Sequence, residues 1–599
     1  MNDCLAHRGP DADGLWSGET AVLGHRRLSI IDTSPAGNQP FYSADKKIVL
    51  VFNGEIYNYI ELKKELSASY SFITDSDTEV IIAAYLKWGI SCVEHFLGMF
   101  AFALWDDHEQ ALYLVRDRMG IKPLYYAHTS EGWLFSSEIR PILSSGLVDR
   151  KISAASLSDY LRYQTVHAPR TIIEGIQMLM PGHYMKLDAN GVQTTCFWDM
   201  VSNAKIGTIT EDIKTVHRNI RELLVSAVEV RMRADVPFGA FLSGGIDSSI
   251  IVGLMSQISA HPVKTFSVTF HEKEFDESPY SLVIAQKFRT DHTPIRLSAT
   301  DFMRLVPDAL RAMDHPSGDG PNTYVVSKVT REAGVKMALS GLGGDEVFAG
   351  YDVFRRMHDL TNKQWLSATP LFMRKAMAGI LKRMKPSVSS EKIAESLSKE
   401  KIDFAHLYPI TRQIMMDDLV RSLVKDRKHY ENPLERLAEK VSATDLPLLS
   451  KVSVAEMSSY MQNVLLRDAD QMSMAHSLEV RVPLIDHRLV EYVLGVNDDQ
   501  KFPHTAKQLL TESVKELLPR EVIDRPKMGF TFPWAMWMRT ELHSFCEHNI
   551  EALAAIEVLD HKNATALWQR FLAGDQRITW SRVWPLVVLG HWIKQHDVH

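Results

Sequence analysis

The stretch Leu242-Ser-Gly-Gly-Ile-Asp-Ser-Ser249 constrains this chain more than any other. Before it, Val236-Pro-Phe-Gly-Ala-Phe241 reads as a buried strand, and after it Ile250-Ile-Val-Gly-Leu-Met255 reads as a helix. A strand that breaks at serines and paired glycines and then opens a helix makes a phosphate cradle. The glycines let the backbone approach an anion, and the helix N-terminus offers free N–H groups and the positive end of a dipole. The loop has no lysine of the Walker kind, so it does not meet the P-loop pattern of nucleoside triphosphatases.

A second loop, Leu339-Ser-Gly-Leu-Gly-Gly-Asp-Glu-Val-Phe348, repeats this grammar after the apolar run Val335-Lys-Met-Ala-Leu-Ser340. Between the two loops lie a strand-like run at 263–270 and a helical one at 280–287. Such alternation predicts a parallel, doubly wound α/β sheet, whose loops converge outside the carboxyl ends of the strands. Asp247 and Asp345 would then face the same phosphates. Carboxylates repel phosphate unless a hard cation lies between them, so the pair implies Mg²⁺. Each aspartate alone could equally be a helix cap. The first loop fits the pyrophosphate loop of enzymes that split ATP between its α- and β-phosphates and adenylate a carboxylate.

The rest of the chain sets the frame. At 599 residues it exceeds one hydrophobic core. Residues 1–195 are β-rich, with runs at 21–24, 47–52, 99–105 and 111–115 and helices over 59–66 and 78–88. The pattern fades into a polar linker over 196–211, and from 212 a long amphipathic helix leads to the first loop. From about residue 366 the chain reads as mainly helical. A net charge of −7 gives no basic footprint for nucleic acid and no polybasic membrane patch. No apolar run reaches membrane-spanning length. Four scattered cysteines, Cys4, Cys92, Cys196 and Cys546, predict a reducing, cytoplasmic setting.

Several motifs carry a resemblance. The two loops and Ser473-Met-Ala-His-Ser-Leu-Glu-Val-Arg-Val-Pro483 resemble the glutamine-hydrolysing asparagine synthetases. So do His7-Arg-Gly-Pro-Asp11, Arg27-Leu-Ser-Ile-Ile-Asp32, Asn53-Gly-Glu-Ile-Tyr-Asn58 and Ser76-Asp-Thr-Glu79, in collinear order. The resemblance implies an α/β chain of two domains. Residues 1–195 would be an αββα N-terminal-nucleophile glutaminase-like domain, and 212–599 an ATP-pyrophosphatase synthetase domain on the doubly wound sheet. It implies that Arg27, Asn53, Gly54, Glu55 and Asp77 hold glutamine, with Asn53 and Gly54 forming an oxyanion hole. Taken alone, Asn53-Gly54 reads as a hairpin turn. The resemblance further implies that Leu242, Ser243, Gly244, Gly245, Asp247, Ser248, Val268, Ser340 and Gly341 hold ATP. Lys507 would steady phosphate charge, with Asp247 and Asp345 as catalytic and Mg²⁺-binding residues. Asp470 and Arg481 match positions on the helical side, or form a structural ion pair. The implied partners are glutamine or ammonia and aspartate or another carboxylate, in a homodimer with no nucleic acid and no membrane.

This sequence departs from that pattern in three places. The family places a Cys nucleophile directly after the initiator Met, whereas this sequence reads Met1-Asn2-Asp3-Cys4 just before the His-Arg-Gly-Pro-Asp motif. Cys4 reads as structural, because its amine is locked in a peptide bond. Either the true start lies upstream, or glutamine hydrolysis is lost and free ammonia feeds the synthetase. Leu342 stands where the family carries Glu, and 314–324 lacks the family's carboxylate-clamping Arg. There Asp319, Asn322 and Thr323 could rebuild the acceptor pocket. These changes leave three functional readings: aspartate amidation, amidation of another carboxylate such as a uronic or secondary-metabolite acid, and a silent ATP-binding relative.

Overall fold

The computed structural model describes residues 1–207, 209, 211–270, 277–361, 368–384, 387–426, 431–501, 505–524 and 533–599. The expected onset of the helical region near 366 lies outside the described residues.

The first part is built on a six-stranded antiparallel sheet. Its order is Gly191–Cys196, His183–Asp188, Ala111–Arg116, Gly98–Asp106, Ile48–Ile56 and Phe41–Tyr42. Strict alternation gives this sheet two apolar faces. Ile48, Leu50, Phe52, Phe100, Phe102 and Leu104 point to a core shared with the helices Tyr59–Leu66 and Asp77–Trp88. Val49, Val51, Ala101, Ala103 and Trp105 point the other way, to a core that includes Leu23 and Leu124. That second face is covered by the hairpin Ala12–Ser17/Val22–Arg27 and the three-stranded sheet around Tyr125–Thr129. The helices Ile139–Ser144 and Ala154–Tyr163 close the outside, completing the αββα stack.

The second part holds a five-stranded sheet in the order Asp291–Leu297, Lys264–Phe270, Phe238–Phe241, Met337–Leu339 and Glu479–Arg481, parallel throughout. The chain starts at the central strand, builds outward on one side, then returns to build on the other. The switch point therefore lies between Phe238–Phe241 and Met337–Leu339, the strands that carry the two glycine loops. Ligands of open α/β sheets bind at such a point. Two strands had no sequence signal. Asp291–Leu297 is polar along much of its length, and Glu479–Arg481 is three residues inside a helical region.

The stretch after Cys196 is docked rather than extended. Trp198 Nε1 donates to Glu491 Oε1 at 2.7 Å, and Lys205 N donates to Glu491 O at 3.1 Å. Both contacts reach the helix His487–Gly495. No helix among the described residues is long and apolar enough to cross a membrane.

Candidate active site

The two loops meet. Gly244 turns the first loop at φ +70°, in the left-handed region that suits glycine, with Tyr280 and Ser281 pressed against it. The following helix, Ile246–Ile258, begins one turn earlier than its apolar run suggested, so its N-terminus abuts the loop. Ser243 Oγ lies 3.1 Å from Ser248 Oγ and accepts from Gly245 N at 3.3 Å, which fixes the bend. Leu242 is buried, and its N–H donates to Phe266 O at 2.7 Å. Val268 lies two residues beyond Phe266, the register partner of Phe241, at the same carboxyl end of the sheet.

In the second loop, Ser340 N donates to Arg481 O at 2.9 Å. A Cβ on Gly341 would stand 2.8 Å from Asp247 Cβ and from Ser248 N. A Cβ on Gly344 would stand 2.3 Å from Asp247 Oδ1. The glycines of one loop are thus the space occupied by the other, with Asp247 in the middle. Leu342 is half-buried against the main core.

Lys507 joins the loops electrostatically. Its Nζ donates to Asp247 Oδ2 at 2.6 Å and lies 2.8 Å from Asp345 Oδ1. Burial works against its charge, but the two aspartates outweigh burial and hold its pKa above the ordinary lysine value. Its backbone sits at φ +59°, a strained conformation for a side-chain-bearing residue. Sequence reasoning missed Glu346, next to Asp345. It is buried and accepts from Tyr351 Oη at 2.7 Å. Burial, then the neighbouring Asp345 charge, push its carboxyl up to about 7.

A cavity of about 850 Å³ opens in the first part, lined by Arg27, Asn53, Gly54, Glu55 and Asp77 and, from the second part, by Met474 and Glu479. Asn53 and Gly54 are no hairpin turn. They lie inside the strand Ile48–Ile56, opposite Ala101 and Phe100, and a Cβ on Gly54 would stand 2.0 Å from Met99 O. Arg27 is already engaged, donating to Ser34 O at 2.8 Å, Asn38 Oδ1 at 2.9 Å, and the carbonyls of Ile31 and Asp32. Asp77 accepts from Ile56 N at 2.9 Å, and burial lifts its carboxyl to about 6. Cys4 faces Ser144 Oγ at 3.4 Å, and no cysteine among the described residues lines the cavity.

Asp470 and Arg481 do not pair with each other. Asp470 takes Arg8 at 2.7 Å and Lys122 at 3.5 Å, and Arg481 takes Glu55 at 3.0 Å. Arg481 therefore ties the five-stranded sheet, and Asp470 the helix Leu466–Met474, to the first part of the chain. Asp314 accepts the N–H groups of Ile139 and Arg140, another such tie. In the expected acceptor segment, Asp319 receives Gly320 N at 2.9 Å, while Asn322 and Thr323 sit half-buried in the first turn of the helix Pro321–Glu332. Near Asp319 lies Asp468, whose carboxyl is raised to about 8 by burial and then by the Asp319 charge.

Comparison with known proteins agrees with this architecture. Residues 219–594 match the family model described as asparagine synthase, and residues 1–198 match the one described as a glutamine amidotransferase domain. Asparagine synthetase [glutamine-hydrolyzing] 1 of Bacillus subtilis is 32% identical, over 99% of this chain and 92% of its own length. A putative asparagine synthetase 2 of Methanocaldococcus jannaschii is 36% identical over 59% of this chain and 72% of its own. The amidase chry2 of Gibberella zeae is 30% identical over 90% of this chain and 85% of its own. The chain belongs to the asparagine synthase family and is an asparagine synthetase-like amidotransferase.

Proposed function

We propose that this protein adenylates the side-chain carboxylate of aspartate with ATP and then amidates it with ammonia, drawn from glutamine or from solution. The observation that carries this reading is Lys507 shared by Asp247 and Asp345 at the switch point of the sheet. The reading divides the chain at 1–195, a linker over 196–211, and 212–599. It places the protein in the cytoplasm as a homodimer.

The residues fit a magnesium nucleotide. Two carboxylates converge on one cation, and among the described residues no cluster of three or more His, Cys, Asp or Glu could hold a metal alone. A metal at Asp247 and Asp345 would complete its shell with phosphate and water oxygens, as Mg²⁺ does. Bound there, Mg²⁺ would neutralise charge on the departing pyrophosphate. In the chain alone Lys507 offsets part of the charge of the two aspartates. Once they have another counter-cation, its ammonium is free to meet phosphate oxygens. Ser243, Gly244, Gly245 and Ser248 would cradle the pyrophosphate at the helix N-terminus. Leu242, Val268, Ser340 and Gly341 would flank the adenosine.

The carboxylate oxygen attacks the α-phosphorus, and the bond to the β-phosphate oxygen breaks. Ammonia then attacks the acyl carbon, AMP leaves with the bonding pair, and the nitrogen sheds one proton. Arg27, Asn53, Gly54, Glu55 and Asp77 would bind glutamine in the cavity.

A second reading, amidation of a different carboxylate, draws on Leu342. An apolar side chain packed on the core accepts no proton at the position where the family has Glu. One experiment separates the two readings: pyrophosphate release with ATP, Mg²⁺ and ammonium across a panel of acids. Release with aspartate supports the first. Release with a uronic or other acid, and none with aspartate, overturns it.

A further inference from the structure

One guanidinium stands between the cavity and the parallel sheet. Arg481 is completely buried at the end of the edge strand Glu479–Arg481. Its Nη2 lies 3.0 Å from Glu55 Oε1 in the cavity wall, and its Nε donates to Glu479 Oε1 at 2.7 Å. Its Nη1 donates to the carbonyls of Arg231 and Arg233 at 3.0 and 2.7 Å. Tyr57 offers its ring to Arg481 at 5.4 Å and to Arg231 at 4.6 Å. The main chain of Arg481 serves the other site. It pairs in register with Leu339, and its carbonyl accepts the N–H of Ser340, where the second loop begins. Gly341, the next residue, is packed on Asp247.

Glu55 leaves something unfilled. Glu55 lines a cavity large enough for an amino acid, and its Oε2 is buried with no hydrogen-bond partner among the described residues. A buried acceptor of this kind is costly unless a donor reaches it. An ammonium group in the cavity would supply that donor.

We propose that Arg481 is a positioning residue shared by both sites: an amine that binds Glu55 fastens the Glu55–Arg481 pair, steadies the Ser340 end of the second loop, and so tightens nucleotide binding. This rests on the reading of the cavity as a glutamine pocket. The direction follows from charge. Burial drives the Glu55 carboxyl well above its ordinary range, against the pull of Arg481 and Lys122 and with the push of Asp77 and Glu479. A nearby cation favours its ionised form, and an ionised Glu55 grips the guanidinium more strongly. With Glu55 weakly charged, Arg481 is drawn to Glu479 on its own strand. Glu55 then decides whether the guanidinium ties the strand to the cavity wall.

The test is calorimetric titration of the intact protein with ATP in Mg²⁺ buffer without acceptor acid, with and without saturating L-glutamine, and the converse titration. Glutamine should lower the Kd of ATP by about five-fold or more, and ATP should lower that of glutamine by the same factor, since coupling is reciprocal. Arg481→Lys keeps the charge but cannot hold two carboxylates and two carbonyls together, so the coupling should fall to unity. If that variant does not fold, Glu55→Gln, which keeps the shape and drops the charge, should lose the coupling at saturating glutamine. Coupling that survives in the variant tested overturns the proposal. In the native protein, glutamine that binds and leaves ATP affinity unchanged overturns the coupling alone. No glutamine binding at all overturns the cavity reading, and the proposal with it.

Discussion

The two candidate sites handle buried charge in opposite ways. At the loops, two carboxylates share an internal cation, and a Cβ added at Gly341, Gly344 or Gly350 would collide with one of the two aspartates. In the wall of the cavity of about 850 Å³, Glu55 shares the Arg481 guanidinium with Glu479 and keeps one buried oxygen without a hydrogen-bond partner among the described residues. The loop site carries a lysine of its own against its two carboxylates, while the cavity wall is short of a cation. A site for a metal-bearing triphosphate needs carboxylates held ready without repelling each other, and an internal lysine does that. A site for a small amine needs an unfilled acceptor.

The harshest test of the loop site removes its hub. Asp247→Ala takes away one of two carboxylates that meet Lys507. Loss of a metal ligand costs several kcal/mol of transition-state stabilisation, so pyrophosphate release should fall by about 10³-fold or more. Turnover at the native rate would break the metal reading. Lys507→Met is next. It leaves Asp247 and Asp345 facing each other without a counter-charge, and losing one member of a buried pair costs about 3–5 kcal/mol. Turnover should drop by about 10²–10³-fold. Raised Mg²⁺ should recover part of the lost melting temperature, because the metal substitutes for the missing ammonium between the acids. Equal melting at all Mg²⁺ levels would count against Lys507 as their counter-charge.

Glu346 sharpens the comparison, because it sits beside the loop site yet receives little of the lysine. Its ordinary value is 4.5 and its folded value about 7. Between those values the folded protein keeps a proton that the unfolded chain releases. Stability from this group is therefore fully present below about pH 4.5 and drains away as pH rises toward 7. The size is about 3 kcal/mol at 1.36 kcal/mol per unit. Glu346→Gln carries no such proton and can still accept from Tyr351. Thermal melts from pH 4.5 to 7.5 should show the native protein losing ground to the variant as pH rises. Parallel curves would mean that Glu346 is already ionised and that the acids around Lys507 are balanced differently.

What the sequence made visible follows chain distance. Both glycine loops are local signals, and strand, turn and helix within a dozen residues sufficed to place them on one sheet. Their meeting follows from the winding rule for such sheets. Lys507 has no local mark; only the family resemblance singled it out, and its bond to Asp247 spans 260 residues. Arg481 to Glu55 spans more, and the strand that carries Arg481 is too short to show a period. Asn53-Gly54 shows the reverse failure. Its local chemistry says turn, but Gly54 is needed because Met99 O crowds the place of its Cβ, which only the folded sheet reveals. Arg27 reads as a free clamp in the sequence, yet four acceptors between residues 31 and 38 surround it in the fold.

The mildest test sets one glycine of each site against the other. Gly341→Ala puts a methyl group 2.8 Å from Asp247 Cβ and from Ser248 N, where backbone atoms cannot step aside cheaply. The loops must part, at a cost of about 1–3 kcal/mol of stability. The parting should also raise the KM for ATP, because Lys507 can no longer reach both aspartates in their present places. Gly24, on the strand Val22–Arg27, lines the open cavity. An added Cβ there meets nothing closer than the Asn2 side chain at 3.4 Å. Where space and backbone allow it, Gly→Ala stabilises by about 0.4–1 kcal/mol through the unfolded chain. The two alanine variants should therefore move the denaturation midpoint in opposite directions at unchanged m-value. If both destabilise alike, the cavity wall is as tightly packed as the loops, and the contrast between a roomy wall and tightly packed loops fails at its geometric root.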